Sequence, residues 1–274
     1  MMWELSLGLG LTVILLSFIF EYIDSSLGMG YGTSLTPILL LLGFNPLQII
    51  PPVLLAQLFA GSFASLMHHY FGNADFKIKS KKKHRNDSWF LHLKKILSHN
   101  LKLALIISTG GIFGTFVAVL IAINLPTFFL KLYISILIMT MGIFILLTLN
   151  KKFKFSWVKV SLFSTLASFN KGLSGGGYGP IITSGQILSG VRTKNAVAIT
   201  TLAESLTCFF ALIIYLVIGI SIDWQLAPYL LIGGILSAPL SAYTVKVVHT
   251  RKLSVAIAIM AIFIGAITLV KLAI

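Results

Sequence analysis

Two apolar stretches of this chain are broken by glycine clusters, and the two clusters are related. The first stretch covers roughly residues 5–45 and breaks at Gly28, Gly30 and Gly32. The second covers roughly 157–190 and breaks at Gly172, Gly175, Gly176, Gly177 and Gly179. At an offset of 147 residues, Gly28, Gly30, Tyr31 and Gly32 fall on Gly175, Gly177, Tyr178 and Gly179. The same offset puts Gly43 on Gly190, Ala56 on Ala203, Gln57 on Glu204 and Gly72 on Gly219. With one inserted residue, Asp75-Phe76 matches Asp223-Trp224. Self-similarity at a fixed period signals an internal repeat.

Apolar runs long enough to cross a bilayer, about 20 residues, lie near 50–71, 103–123, 129–149, 196–218, 226–248 and 253–270. In the second broken stretch the arms are 157–171 and 180–190. As helices they cover only about 16–22 Å, short of a ~30 Å hydrocarbon core. Short arms around a glycine break read as a re-entrant hairpin. In the first stretch the arm 33–43 is equally short, while 5–23 is long enough to cross alone. The rest of the composition agrees: 57% of the 274 residues are hydrophobic and 10% are charged, against about 25% charged in soluble domains. That excludes a soluble enzyme, a disordered chain and a coiled coil. The single cysteine, Cys208, excludes an internal disulfide and a cysteine-based zinc site.

The net charge of +14 is read by position. Segments 77–102, 151–159, 192–194 and 246–252 hold 18 of the 21 Lys and Arg. If each hairpin returns to its own side, all four fall on one face, and the positive-inside rule makes that face cytoplasmic. The N- and C-termini are then outside. The expected fold is an all-α polytopic membrane protein of two inverted repeats, 1–150 and 151–274. Each repeat is a broken-helix hairpin plus three transmembrane helices, so the odd span count turns the second upside down. Paired interrupted helices in inverted repeats are the architecture of secondary transporters. Loop 77–102 reads as a basic cytoplasmic segment, with Trp89, Phe90, Leu93, Ile96 and Leu97 on one face of an interfacial helix. Nothing in it resembles a nucleic-acid module.

The break residues are the first binding candidates. Gly30, Tyr31, Gly32, Thr33 and Ser34 precede or open one short arm, and Gly177, Tyr178 and Gly179 the other. Pro180 suits a helix N1 position, and Thr33 or Ser34 suits an N-cap. Two helix N-termini converging at the midplane, with free N–H groups and positive dipole ends, would make an anion site. Glycines that only permit close packing are the alternative. Lys171, expected to end arm 157–171, suits a helix C-terminus and also lies beside that anion site. Asp24, its counterpart, would face a C-terminal dipole in a low dielectric. Both oppose a carboxylate's charge, which makes Asp24 a proton-carrier candidate, or else a cap of the break. Glu204, in mid-span, is the second proton candidate, because an ionisable group at membrane depth costs at least ~2.5–3.5 kcal/mol. Thr200 and Thr201 on its helix, and Gln57 on the equivalent one, would line a cavity. His68 and His69, at a span end, read as interfacial.

Gly172-Leu173-Ser174-Gly175 fits the G-x-S-G signature of intramembrane serine proteases. A nucleophilic serine needs a base within about 2.6–3.2 Å, and no histidine is expected at midplane depth. The chain is therefore not read as an enzyme, and no metal cluster, P-loop or dinucleotide fingerprint calls for a cofactor.

The run Asp24-Ser25-Ser26-Leu27-Gly28-Met29-Gly30-Tyr31-Gly32 through Pro37 and Gly43, then Gly72 and Asp75, resembles the first half of the sulfite exporter TauE/SafE family, the toluene-sulfonate uptake permeases. Asn170-Lys171-Gly172-Leu173-Ser174-Gly175-Gly176-Gly177-Tyr178-Gly179-Pro180, with Glu204 and Asp223-Trp224, resembles its second half. The resemblance implies an inner-membrane carrier of small sulfur-containing anions, sulfite or organosulfonates, driven by the proton-motive force. The partners it implies are an anion, protons and the bilayer, and a homo-oligomer is compatible with them. A passive anion channel on the same architecture is the second reading.

Overall fold

A computed structural model describes residues 7–78, 97–148, 157–188, 191–247 and 251–273. These residues form eleven helices and one isolated bridge, Ile78 to Leu97, with no strand among them. The helices of the first half are α1 (Leu7–Leu27), α2 (Tyr31–Leu41), α3 (Pro46–Tyr70), α4 (His99–Gly110), α5 (Ile112–Asn124) and α6 (Thr127–Thr148). Those of the second half are α7 (Trp157–Ser174), α8 (Tyr178–Leu188), α9 (Thr193–Val217), α10 (Ala227–Val247) and α11 (Arg251–Ala273).

Among the described residues, six segments are long and apolar enough to cross a membrane: α1, α3, the α4–α5 pair as one segment, Phe128–Thr148 of α6, α9 and α10. The expected span at 253–270 corresponds to α11, whose apolar part is Ala258–Leu272. The chain is a multi-pass membrane protein. Its exposed faces are apolar, as on Leu7, Leu11 and Leu15 of α1 and Val158, Leu162 and Leu166 of α7. Its polar side chains are turned inward, among them Ser17, Asp24, Gln57, Ser168, Lys171 and Glu204. That inversion suits a lipid solvent and is the reverse of a water-soluble globule.

Helix ends differ from expectation for identifiable reasons. α3 begins four residues early, because Pro46 fits the first helical position and the Gln48 side chain accepts from the Asn45 N–H at 3.0 Å. The first hairpin arms run longer than expected, to Leu27 and Ser174. Each ends at a glycine in the left-handed region, Gly28 (φ 70°) and Gly175 (φ 72°). Their N–H groups donate to Asp24 O at 2.6 Å and Lys171 O at 2.9 Å, which is how a left-handed residue closes a helix C-terminus. The second arms, α2 and α8, have 11 residues each, about 16 Å.

Packing follows the sequence offset. α3 lies against α9, and α6 against α11. The first arm α1 packs on α10 of the other half, and the first arm α7 packs on α5 of the other half. The two breaks meet backbone to backbone. A Cβ on Gly32 would overlap the Gly175 carbonyl, and one on Gly179 would overlap the Gly28 carbonyl. The greater part of loop 77–102, including the expected interfacial helix through Ile96, lies outside the described residues.

Candidate functional site

Four side chains make one buried line across the centre. Asp24 and Lys171 stand one turn before the ends of α1 and α7, and Gln57 and Glu204 in the middle of α3 and α9. Lys171 Nζ donates to Glu204 Oε1 at 2.8 Å. Gln57 Nε2 donates to Glu204 Oε1 and to Asp24 Oδ2, both at 3.0 Å. Gln57 is 33 residues from Asp24, Glu204 is 33 from Lys171, and Gln57 and Glu204 are 147 apart. The line Asp24–Gln57–Glu204–Lys171 therefore joins equivalent positions of the two halves. Its central contact pairs a residue with its own counterpart.

The line is inside the protein. Lys171 is wholly buried and Asp24 and Glu204 are 4% exposed. Glu21, one turn before Asp24, is buried too and accepts from Ser25 Oγ at 2.7 Å. Buried ions persist only when paired and hydrogen-bonded, and here three carboxyl groups share one ammonium. Several oxygens have no hydrogen-bond partner among the described residues: Glu21 Oε2, Gln57 Oε1 and Glu204 Oε2, together with Ser34 Oγ and Thr36 Oγ1 on α2.

The two helix breaks are stitched to each other. Asp24 Oδ1 accepts from the Tyr31 N–H at 3.1 Å, so its carboxylate sits at the N-terminus of α2. The expectation that Asp24 faces a helix C-terminus is thus corrected: the helix runs on past it to Gly28, and the side chain turns to the favourable dipole end. Lys171 likewise does not end its arm. Thr33 and Ser34 do not cap α2, which starts at Tyr31 after Gly30. Instead Thr33 Oγ1 accepts from the Gly177 N–H of the other break at 3.1 Å. Pro180 is in the first turn of α8 rather than at its first position, since that helix begins at Tyr178. Gly32 and Gly179 are the close-approach points, and the two tyrosines point to hydroxyl partners. Tyr31 shares a 2.9 Å bond with Ser17, and Thr207 reaches Tyr178 Oη at 3.4 Å.

The threonine pair behaves unequally. Thr200 Oγ1 accepts from Thr183 at 2.9 Å and from Gln186 at 2.8 Å, whereas Thr201 donates to Val197 O of its own helix at 3.0 Å. Ser174 Oγ donates to Asn170 O at 2.8 Å and accepts from the Gly176 N–H at 3.1 Å. Its hydroxyl shapes the break and has no base beside it among the described residues.

Of two residues that hold the arms, sequence reasoning reads His68 as interfacial and passes over Tyr215. His68 is fully buried rather than interfacial; its Nε2–H faces Ser25 O at 2.8 Å, and its Nδ1 accepts from Asn73 Nδ2 at 3.0 Å. Asn73 also donates to Ala242 O at 2.8 Å, which fixes the neutral tautomer. Tyr215 donates to Gly172 O at 2.8 Å. Both pairs differ by 147 residues, so the offset alone would have matched His68 to Tyr215 and flagged them as equivalent donors. No group of three or more His, Cys, Asp or Glu able to hold a metal converges among the described residues.

The family model for the sulfite exporter TauE/SafE matches residues 88–268, more than half of the chain. A probable membrane transporter protein of Bacillus subtilis (YtnM) is 26% identical over 269 residues, covering 92% of this chain and 79% of that protein. No solved structure matches the chain.

Proposed function

The chain belongs to the sulfite exporter TauE/SafE family of membrane transporters, and from that premise we propose a proton-coupled carrier of a small sulfur-containing anion, sulfite or an organosulfonate, in the plasma membrane. The two halves act as inverted repeats. Both termini are outside, and the basic loop 77–102 is cytoplasmic. The anion is held between the hairpin tips, by Lys171 and by N–H groups of the α2 and α8 N-termini, when the two breaks, which meet backbone to backbone in this state, move apart. Asp24 and Glu204 are the proton sites.

The observation that carries this reading is the buried line Asp24–Gln57–Glu204–Lys171. A structural core has no need of an ammonium and three carboxyls at membrane depth, and such groups are functional by default there. The line also joins both halves beside their broken helices, where backbone irregularity is tolerated at membrane depth only if it is buried in protein or lines a solvated cavity. A carrier needs one site that both halves share.

Purified protein in liposomes tests this. Imposing an acid exterior should drive saturable uptake of sulfite or a sulfonate, with sulfate, thiosulfate and taurine as competitors to rank. Flux that rises linearly with anion concentration and ignores the pH gradient would instead make the protein a passive anion channel.

A further inference from the structure

We propose that Glu204 carries the transported proton on Oε2, as the acid half of a carboxylic acid–amide pair with Gln57, and that this protonation frees the Lys171 ammonium for the anion. The inference rests on the carrier reading above and names how its two ligands are linked.

Gln57 spends both N–H groups, one on Asp24 and one on Glu204 Oε1. Among the described residues, no donor reaches its own Oε1 or Glu204 Oε2. Gln57 is 2% exposed, so its amide oxygen is shielded from bulk solvent. Buried polar atoms in native proteins are nearly always paired. Two orphan acceptors on two groups already joined by one hydrogen bond point to a missing hydrogen between them. A proton on Glu204 Oε2 supplies it. A carboxylic acid and a primary amide close a ring of two bonds: amide N–H to the acid's carbonyl oxygen, acid O–H to the amide oxygen. Both polar atoms of the Gln57 amide then have partners.

Charge gives the second half of the argument. The charged and titratable groups acting on or acted on by Glu204 are Lys171 on α7, Asp24 and Glu21 on α1, Tyr178 on α8 and Cys208 on its own helix. Of these Lys171 alone is cationic. While Glu204 is ionised it is the counter-charge of Lys171, standing where a substrate anion would stand. Once protonated, Glu204 still accepts from Nζ through Oε1 but no longer neutralises it. The ammonium then lacks a directly bonded counter-ion, since Asp24 is held one member further along the line by Gln57. A buried charge without its direct partner is unfavourable, and one small anion against Nζ restores the pair. A solvent proton ends on Oε2, the anion ends against Nζ, and the charge of the site is unchanged. Proton and anion therefore bind together, and the anion moves toward the alkaline side. The repeat explains the asymmetry: Gln57 occupies in the first half the position of Glu204 in the second, so the acid meets an amide and not a second acid.

Methanesulfonate is the probe, because it keeps its charge across the working pH range whereas sulfite itself titrates. Binding to the purified protein in weakly buffered detergent should take up one proton per anion. An infrared difference spectrum should show a protonated-carboxyl C=O band rising on binding. In Glu204→Gln the amide N–H replaces the acid O–H toward Gln57, so this variant should bind with an affinity independent of pH, take up no proton and lack the band. Wild-type binding without proton uptake, or uptake and band retained in Glu204→Gln, would overturn the proposal and leave the carrier reading standing. No binding of methanesulfonate or sulfite to the wild type would overturn the carrier reading, and this proposal with it.

Discussion

The Tyr215 hydroxyl donates to the carbonyl oxygen of Gly172 at 2.8 Å, across two helices of the second half. His68 makes the equivalent contact in the first half, to Ser25 O at 2.8 Å. Both carbonyls lie in the last turn of a first arm, where no further helical N–H is available to them. α3 thus caps the end of α1, and α9 the end of α7.

Tyr215→Phe removes the donor and leaves the Gly172 carbonyl buried without one. The cost should be about 1–3 kcal/mol, seen as a lower melting temperature in detergent. His68→Leu should cost at least as much, because Asn73 also loses its Nδ1 acceptor. Unchanged melting in both would mean that the arms are held by backbone packing alone.

Lys171→Met leaves Glu204 buried without its cation. Breaking one side of a buried ion pair typically costs about 3–5 kcal/mol, so the single variant should melt well below the wild type. Lys171→Met combined with Glu204→Gln should recover most of that loss, since neither charge remains. Neither variant should bind sulfite by thermal shift, although a ligand at 100 times its Kd stabilises a competent site by about 2.7 kcal/mol. Sulfite stabilisation of the double variant would move the anion site away from Lys171.

Much of this arrangement was legible in the chain itself. The offset that aligns the glycine clusters also aligns Gln57 with Glu204 and Asp24 with Lys171, and these are the residues that meet. What hydropathy and spacing could not give was the environment of each. Asp24 was misplaced because the end of α1 depends on Gly28 adopting a left-handed conformation, which carries the helix one turn further. The Lys171–Glu204 pair is a contact across 33 residues, and nothing local announces it. His68 reads as interfacial because it lies near a span end. Its burial comes from the turn after α3, where the Asn73 N–H donates back to His68 O at 2.9 Å and the asparagine side chain covers the ring.

Glycine substitutions should separate contact from conformation. Gly32→Ala and Gly179→Ala place a methyl into the backbone of the opposite break, so both should abolish transport and lower stability. Gly43→Ala meets open space but sits at φ +100°, and should cost only about 1–2 kcal/mol of backbone strain with transport retained. Full transport in Gly32→Ala would show that the breaks separate during the cycle without needing to close.

Orientation is tested by single cysteines at the ends of the equivalent helices. Cys208 is buried, and Cys208→Ser gives a background for Lys77→Cys and Ser221→Cys, both at exposed positions. Position 77 follows α3 and position 221 follows α9. If the halves are inverted, these corresponding ends face opposite sides of the membrane. Lys77 belongs to the segment with nine of the 21 basic residues, so its side is the cytoplasm. An impermeant maleimide added to intact cells should therefore label Ser221→Cys and spare Lys77→Cys until the membrane is opened. Labelling of both from outside, or of neither, would put α3 and α9 in the same direction. The line from Asp24 to Lys171 would then join two parallel halves, and the inverted-repeat arrangement proposed for the carrier would be overturned.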